Sequence, residues 1–241
     1  MKRSEAIRFL ILRTIGNFLV LFAIFGVLAT FGPAFYYEIT FKVAQARGVK
    51  YTVYQPQDTT SPLGEIVKQQ KHLQNTTAGS SFADILAGPK EKILIPIDTS
   101  FDILIPKIGA NAKVFANVDP SDPNQFLPIL QQGVAHAKGT VFPGMKGNIY
   151  LFAHSTDNFW DVGRYNAVFY LLKDLKPGDE VVIFFQNTRY NYVVTDSKTV
   201  DASDISYVVG AQNQDSETLI LQTCWPPGTT WKRWLVFAKR K

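Results

Sequence analysis

The chain has 241 residues, 46% hydrophobic and 19% charged, enough apolar material for one packed domain with attachments and too much for wholesale disorder. Its single cysteine, Cys224, excludes an internal disulfide, and one Cys with three His leaves little for a structural zinc site. The net charge of +5 sits at the two ends: residues 1–13 hold four basic and one acidic residue and residues 218–241 five basic and none acidic, so the body is net negative and nucleic-acid binding is not expected.

From Thr14 to Tyr37 there are 24 consecutive uncharged residues. A helix of that length rises about 36 Å, enough to cross a hydrocarbon core of roughly 30 Å. Lys2, Arg3, Arg8 and Arg13 precede the run, and Tyr36 and Tyr37 follow it. The positive-inside bias therefore predicts a single-pass cell-membrane protein with a cytoplasmic N-terminus and everything after residue 38 extracytoplasmic. A cleaved signal peptide starts the same way. Its apolar core is shorter, about 7–15 residues, and it ends in a small-x-small exit. Gly32-Pro33-Ala34-Phe35-Tyr36-Tyr37 does not supply one. The reading is thus a basic tail over 1–13, an anchor over 14–37 and an extracytoplasmic linker over 38–92. Within the linker, residues 55–91 are rich in Gln, Thr, Ser, Asn, Gly and Pro and show no sustained period beyond a short polar helical stretch at Glu65–Leu73.

From about Ile93 the texture changes. Ile103–Pro106, Ala112–Phe115, Asn148–Phe152, Glu180–Phe185, Arg189–Val194, Thr218–Gln222 and Trp234–Phe237 are β-rich runs separated by turn signals such as Pro143-Gly144 and Pro177-Gly178-Asp179. They predict an antiparallel sandwich or a closed barrel, all-β with short helices at Asn124–Gln132 and Asn166–Leu175.

Polar candidates for chemistry are few. Cys224 stands where a strand-like run gives way to Trp225-Pro226-Pro227-Gly228, His154 ends the run Ile149–Ala153, and Arg233 precedes the last strand. Taken singly, each has an ordinary structural explanation: a small buried thiol, a half-buried imidazole, a solvated charge. Together, one thiol, one imidazole and one guanidinium at strand edges form a set suited to nucleophilic acyl chemistry. A free thiol is only fractionally ionised near neutrality, so a neighbouring cation, or a small reactive fraction, has to supply the thiolate.

Gly133-Val134-Ala135-His136 through Asn148, running on to Phe152-Ala153-His154-Ser155, resembles the region around the catalytic His of sortases. Leu221-Gln222-Thr223-Cys224-Trp225-Pro226-Pro227-Gly228-Thr229, with Arg233 nine positions after the Cys, is similar to their Cys-to-Arg signature, and Lys176-Pro177-Gly178-Asp179-Glu180 matches a turn the family often carries. Two positions depart from the usual pattern. Ala153 stands where Gly commonly precedes the His, and Ile220 stands at the first position of the usual Thr-Leu-x-Thr-Cys. The residues after the Cys lean toward the housekeeping or class D-like groups.

The resemblance implies an eight-stranded closed β-barrel over 93–241 that acts as a cysteine transpeptidase. The expected substrate is a surface protein or pilin bearing a C-terminal sorting motif, and the second substrate is an amine acceptor of the cell envelope. Cys224 would be the nucleophile, His154 the acid and base, and Arg233 the oxyanion or backbone ligand. His136, Thr223, Trp225 and Trp231 would support the site or touch substrate. No acidic cluster has metal-ligand spacing, so neither a metal nor a cofactor is expected. A thiol hydrolase of the same architecture and a non-catalytic membrane-tethered binding domain are the alternatives.

Overall fold

The computed structural model describes residues 3–54, 91–155 and 168–241. Helix α1 (Arg3–Ala46) opens the chain. Its stretch Ile7–Leu28, 22 residues with a mean hydropathy of 2.1, is long and apolar enough to cross a membrane, and none of it is buried against the rest of the protein. The stretch starts earlier than the uncharged run because a helix this apolar tolerates Arg8 and Arg13 within its first turns.

The helix does not stop at residue 37, where a spacer was expected. It continues to Ala46 and ends on Gly48 (φ 70°), with Val49 N–H donating to Ala44 O and Gly48 N–H to Gln45 O, the paired bonds of a left-handed glycine cap. Strand β1 (Lys50–Val53) then pairs in parallel with β2 (Glu91–Leu94). The predicted helix at Glu65–Leu73 lies outside the described residues.

The remaining strands are β3 (Phe101–Ile105), β4 (Ala110–Val118), β5 (Val134–Ala137), β6 (Gly147–Phe152), β7 (Glu180–Phe185), β8 (Thr188–Asp201), β9 (Glu217–Trp225) and β10 (Lys232–Arg240). They close a barrel in the order β10-β8-β7-β3-β4-β5-β6-β9. The barrel is mixed, not antiparallel throughout: β4 with β5 and β6 with β9 run in parallel. A parallel neighbour needs a crossover. Between β4 and β5 that crossover carries α2 (Pro123–Leu130), which starts with Asp122 accepting from Asn124 N–H and with Pro123 at the first turn. The second predicted helix is a short 3-10 turn at Tyr170–Asp174.

Alternation along each strand separates two faces. Ile103, Ile105, Val134, Ile149, Leu151, Ala153, Leu219, Leu221, Val236 and Ala238 fill the interior. Ala135, Ala137, Tyr150, Phe152, Ile220 and Leu235 point outward, where Phe126 and Ile129 of α2 and Tyr207 and Val208 of the β8–β9 connection cover them. A second outer patch, Leu104, Val182 and Phe184, lies under Val53 and Leu94 of the small sheet.

Segment 38–54 is tied to the barrel. Glu38 carboxylate oxygens lie 2.8 Å from Lys173 Nζ and 3.2 Å from Lys42 Nζ, and Phe41 packs on Tyr170 and Leu171. The Lys173 ammonium holds the Glu38 carboxyl below its usual range; for Lys173, partial burial pulls the pKa down, but the Glu38 and Asp174 carboxylates together hold it above its own range.

Candidate active site

Strands β6, β9 and β10 are adjacent, and their registers bring the three expected reacting residues to one end of the barrel. In the antiparallel β9–β10 ladder Arg233 is the partner of Cys224. In the parallel β6–β9 ladder the last pair is Phe152 with Gln222, and Ala153 N–H continues it by donating to Gln222 O at 3.2 Å. His154 follows immediately, in step with Cys224. Beyond Arg233, Val200 of β8 completes the row.

Parity then decides which side each residue faces. Ala153, Leu221 and Val236 are interior, while Phe152, Ile220 and Leu235 are outward. His154, Cys224 and Arg233 all share the outward phase. The structure therefore brings the three together on one face, with Cys224 and His154 half-buried rather than sealed in the core. The Arg233 guanidinium is held by its own turn, its Nη1 donating to Thr230 O at 3.0 Å and to Lys232 O at 3.2 Å.

The start of β6 requires glycine. Gly147 has φ 129°, and a Cβ there would come within 2.7 Å of Ala211 O. That close approach falls at the first residue of β6, opposite Glu217 of β9.

The supporting residues part company. Thr223 is buried, and its Oγ1 donates to Ala153 O at 3.2 Å, stitching β9 to β6 directly beneath the row. Trp225 shares the interior phase of Thr223 and packs its ring 5.5 Å from that of Trp234. Trp231, 75% exposed, stands on the turn before β10.

His136 is fully buried and also in the interior phase, between Ala135 and Ala137, which face out. Its Nδ1 accepts from Asn117 N–H at 3.3 Å, and its Nε2 lies 3.0 Å from both Val141 O and Thr140 Oγ1. The Thr140 hydroxyl is already donating to Ala137 O at 2.7 Å, so Nε2 carries the proton and the ring is the neutral tautomer. Its ring stacks on Phe142 at 4.5 Å, and burial lowers its pKa. The structure thus separates His136 from the face that holds Cys224.

Two residues on that face were not singled out from the sequence, Tyr150 and Gln222. The signal was available in counting back by two and four from Cys224 and His154 along strands. The Tyr150 hydroxyl donates to Gln222 Oε1 at 3.2 Å, and burial raises the Tyr150 pKa against the opposing field of Arg233. A separate cavity near the end of α1, lined by Gln45, Lys50, Lys107 and Asp179 among others, contains none of these residues. Among the described residues no cluster of three or more His, Cys, Asp or Glu is placed to hold a metal.

The family described as "Sortase domain" matches residues 103–241, more than half of the chain. Sortase D of Bacillus subtilis (strain 168) is 29% identical over 139 residues, 56% of this chain, and the alignment spans 61% of that relative's length. Among solved structures, sortase C2 of Group B Streptococcus pilus island 1 is 24% identical, with 58% of this chain and 73% of that one covered at a TM-score of 0.49. The sortase D5 transpeptidase of Clostridium perfringens is 23% identical, with 73% and 99% covered at a TM-score of 0.48. The matched domain contains β6, β9 and β10 whole, with the row of thiol, imidazole and guanidinium between them, and the chain belongs to the sortase family.

Proposed function

We propose that the protein is a membrane-anchored cysteine transpeptidase that cleaves a sorting motif in a surface protein or pilin and joins the acyl part to an amine of the cell envelope. The observation that carries this reading is the shared outward row of His154, Cys224 and Arg233 at the ends of three adjacent strands. Family membership supports the reaction class.

The Cys224 thiol yields its proton to His154 and its sulfur adds to the scissile carbonyl, giving a tetrahedral oxyanion. The C–N bond breaks as the imidazolium protonates the leaving amine, which leaves a thioester on Cys224. His154 then takes a proton from the incoming amine as that amine attacks, and returns it to the departing thiolate. Arg233 has five N–H donors in a planar fork. Its Nη1 holds the turn carbonyls, and its Nε–Nη2 edge meets the oxyanion.

The N-terminal helix serves as a single-pass anchor, with Lys2, Arg3, Arg8 and Arg13 holding the N-terminus in the cytoplasm and the barrel outside. Residues 1–13 are its tail and 93–241 the catalytic domain. The test is to incubate the detergent-solubilised chain with sorting peptides, with and without an amine acceptor, and read products by mass spectrometry. Ligated product that appears only with the acceptor is expected. Hydrolysed product in both samples would make the protein a processing peptidase, and no product in either would remove the enzymatic reading.

A further inference from the structure

Two carbonyl oxygens hold the Arg233 guanidinium, and they stand differently in the fold. Lys232 O belongs to β10, whose first residue is already paired with Trp225 of β9. Thr230 O lies in the connection 226–231, outside that ladder, and takes the shorter bond, 3.0 Å from Nη1. Both bonds come from the same nitrogen, which fixes the plane of the fork more firmly than one bond would. The direction in which the Nε–Nη2 edge faces therefore depends on where the connection puts Thr230 O.

That carbonyl follows directly on a tight turn. In Pro226-Pro227-Gly228-Thr229 the Thr229 N–H donates to Pro226 O at 3.0 Å, and Gly228 has φ 79°. Proline cannot take a positive φ, so with Pro227 at the first central position and glycine at the second the turn is of type II. The Thr229 side chain closes it a second time: its Oγ1 donates to the same Pro226 O at 2.8 Å. Trp231, the last residue of the connection, is 75% exposed and adds little packing. The Thr229 hydroxyl is thus the side-chain group that fixes the backbone leading into Thr230 O.

We infer that Thr229 is a positioning residue for Arg233: by closing the turn 226–229 a second time, its hydroxyl holds Thr230 O where that oxygen aims the guanidinium at the carbonyl attacked by Cys224. This inference rests on the transpeptidase reading, in which Arg233 meets the oxyanion, and extends it to a residue that touches neither thiol nor substrate. A donor fixed in place before the reaction costs no reorganisation when the oxyanion forms. An arginine released from the turn has to be ordered in each turnover, so losing the anchor shows in kcat and leaves substrate binding nearly untouched.

The experiment uses the full chain in detergent with a sorting peptide and an amine acceptor, and reads kcat and KM by mass spectrometry. Thr229→Val removes the hydroxyl and keeps the branched shape. It is expected to lower kcat about three- to tenfold, the worth of one hydrogen bond, with KM little changed. Thr229→Ser should recover most of that loss. In an Arg233→Ala background the same Thr229→Val change should cost less than about twofold, since no guanidinium is left to aim. Acyl-enzyme formation followed by intact mass over hours keeps that slow background measurable. Gly228→Ala strains the turn at its positive φ without touching the hydroxyl, and its effect should depend on Arg233 in the same way. Thermal midpoint and the rate of Cys224 alkylation, measured in parallel, report an intact barrel. Thr229→Val at the wild-type rate overturns the proposal, and so does a loss of equal size with and without Arg233, the result a merely structural turn would give. A wild type that turns over no sorting peptide while Cys224 is alkylated normally overturns the transpeptidase reading, and this proposal with it.

Discussion

Arg233 stands directly across the β9–β10 ladder from Cys224, and its guanidinium is held by two carbonyl oxygens of the turn that joins the strands. The pairing sets the two backbones opposite one another through register alone. Arg233→Ala is expected to lower kcat/KM by about 10²–10³, the range for removing one oxyanion donor. Arg233→Lys should restore little, since a single ammonium cannot bridge the turn and reach a substrate at once. Steady-state kinetics on a sorting peptide checks both, and near-wild-type turnover by either variant removes Arg233 from the chemistry.

Cys224→Ala should form no covalent adduct with substrate yet keep the thermal midpoint within a degree or two, because the site is half-buried and a small residue fits there. His154→Ala should slow turnover by about 10²–10⁴, the usual contribution of a general acid–base group. Intact-mass measurement during turnover separates the two: the first variant shows no acyl-enzyme, the second a slowly formed one.

His136 is expected to behave in the opposite way. With its ring stacked on Phe142 and both nitrogens bonded inside the barrel, His136→Ala should cost about 2–5 kcal/mol of stability, as for other large-to-small changes in packed interiors. The activity of the surviving folded fraction should be little changed. Because the folded ring resists protonation, stability is lost as pH falls below the ordinary histidine value of 6.5. Urea titrations at pH 7.5 and 5.5 test this, and a variant that folds normally but is inactive would assign His136 a part in the chemistry.

Asp102 gives the opposite slope. It is fully buried on β3, where it accepts from the N–H groups of Ile97, Asp98 and Ile103, and burial pushes its pKa up to about 7. The folded state therefore holds a proton that the unfolded chain releases near pH 3.8, and stability falls as pH rises from about 4 to about 7. Asp102→Asn should flatten that part of the pH–stability curve. An unchanged slope in the variant would show that another group is responsible.

The Glu38–Lys173 bridge is open to charge reversal. Glu38→Lys should loosen the end of α1 from the barrel, and Glu38→Lys with Lys173→Glu should regain part of the loss, with a coupling of about 1 kcal/mol for a partly buried pair. Hydrogen exchange over residues 38–46 in the detergent-solubilised protein reads the effect.

Much of this fold was legible in the chain because the strands are β-rich apolar runs bounded by turn residues: the runs read at Glu180–Phe185 and Asn148–Phe152 agree with β7 and β6 to within a residue. β5 was missed because Val134–Ala137 is four residues long, has a histidine in it and follows Gly133, which leaves too few alternations to register. The parallel pairings were beyond reach for a different reason. They join segments 20 residues apart for β4 with β5 and 70 apart for β6 with β9, and no local pattern records which strand a crossover returns to. The candidate trio was readable from residue type at strand ends. The interior position of His136 was not, since it depends on the phase of the strand that went unread.

The continuity of α1 bears on how the protein would meet the substrates of the proposed function. With the helix continuous from Arg3 to Ala46, and Phe41 and Glu38 seated against the barrel, roughly 20 Å of helix separates Leu28 from Phe41. If the stretch Ile7–Leu28 crosses a bilayer, that length bounds how far the face carrying Cys224 stands from the lipid surface. Encounters would then be governed by drift within the plane of the membrane, and a sorting motif emerging too near or too far from the lipid surface would pass the thiol by.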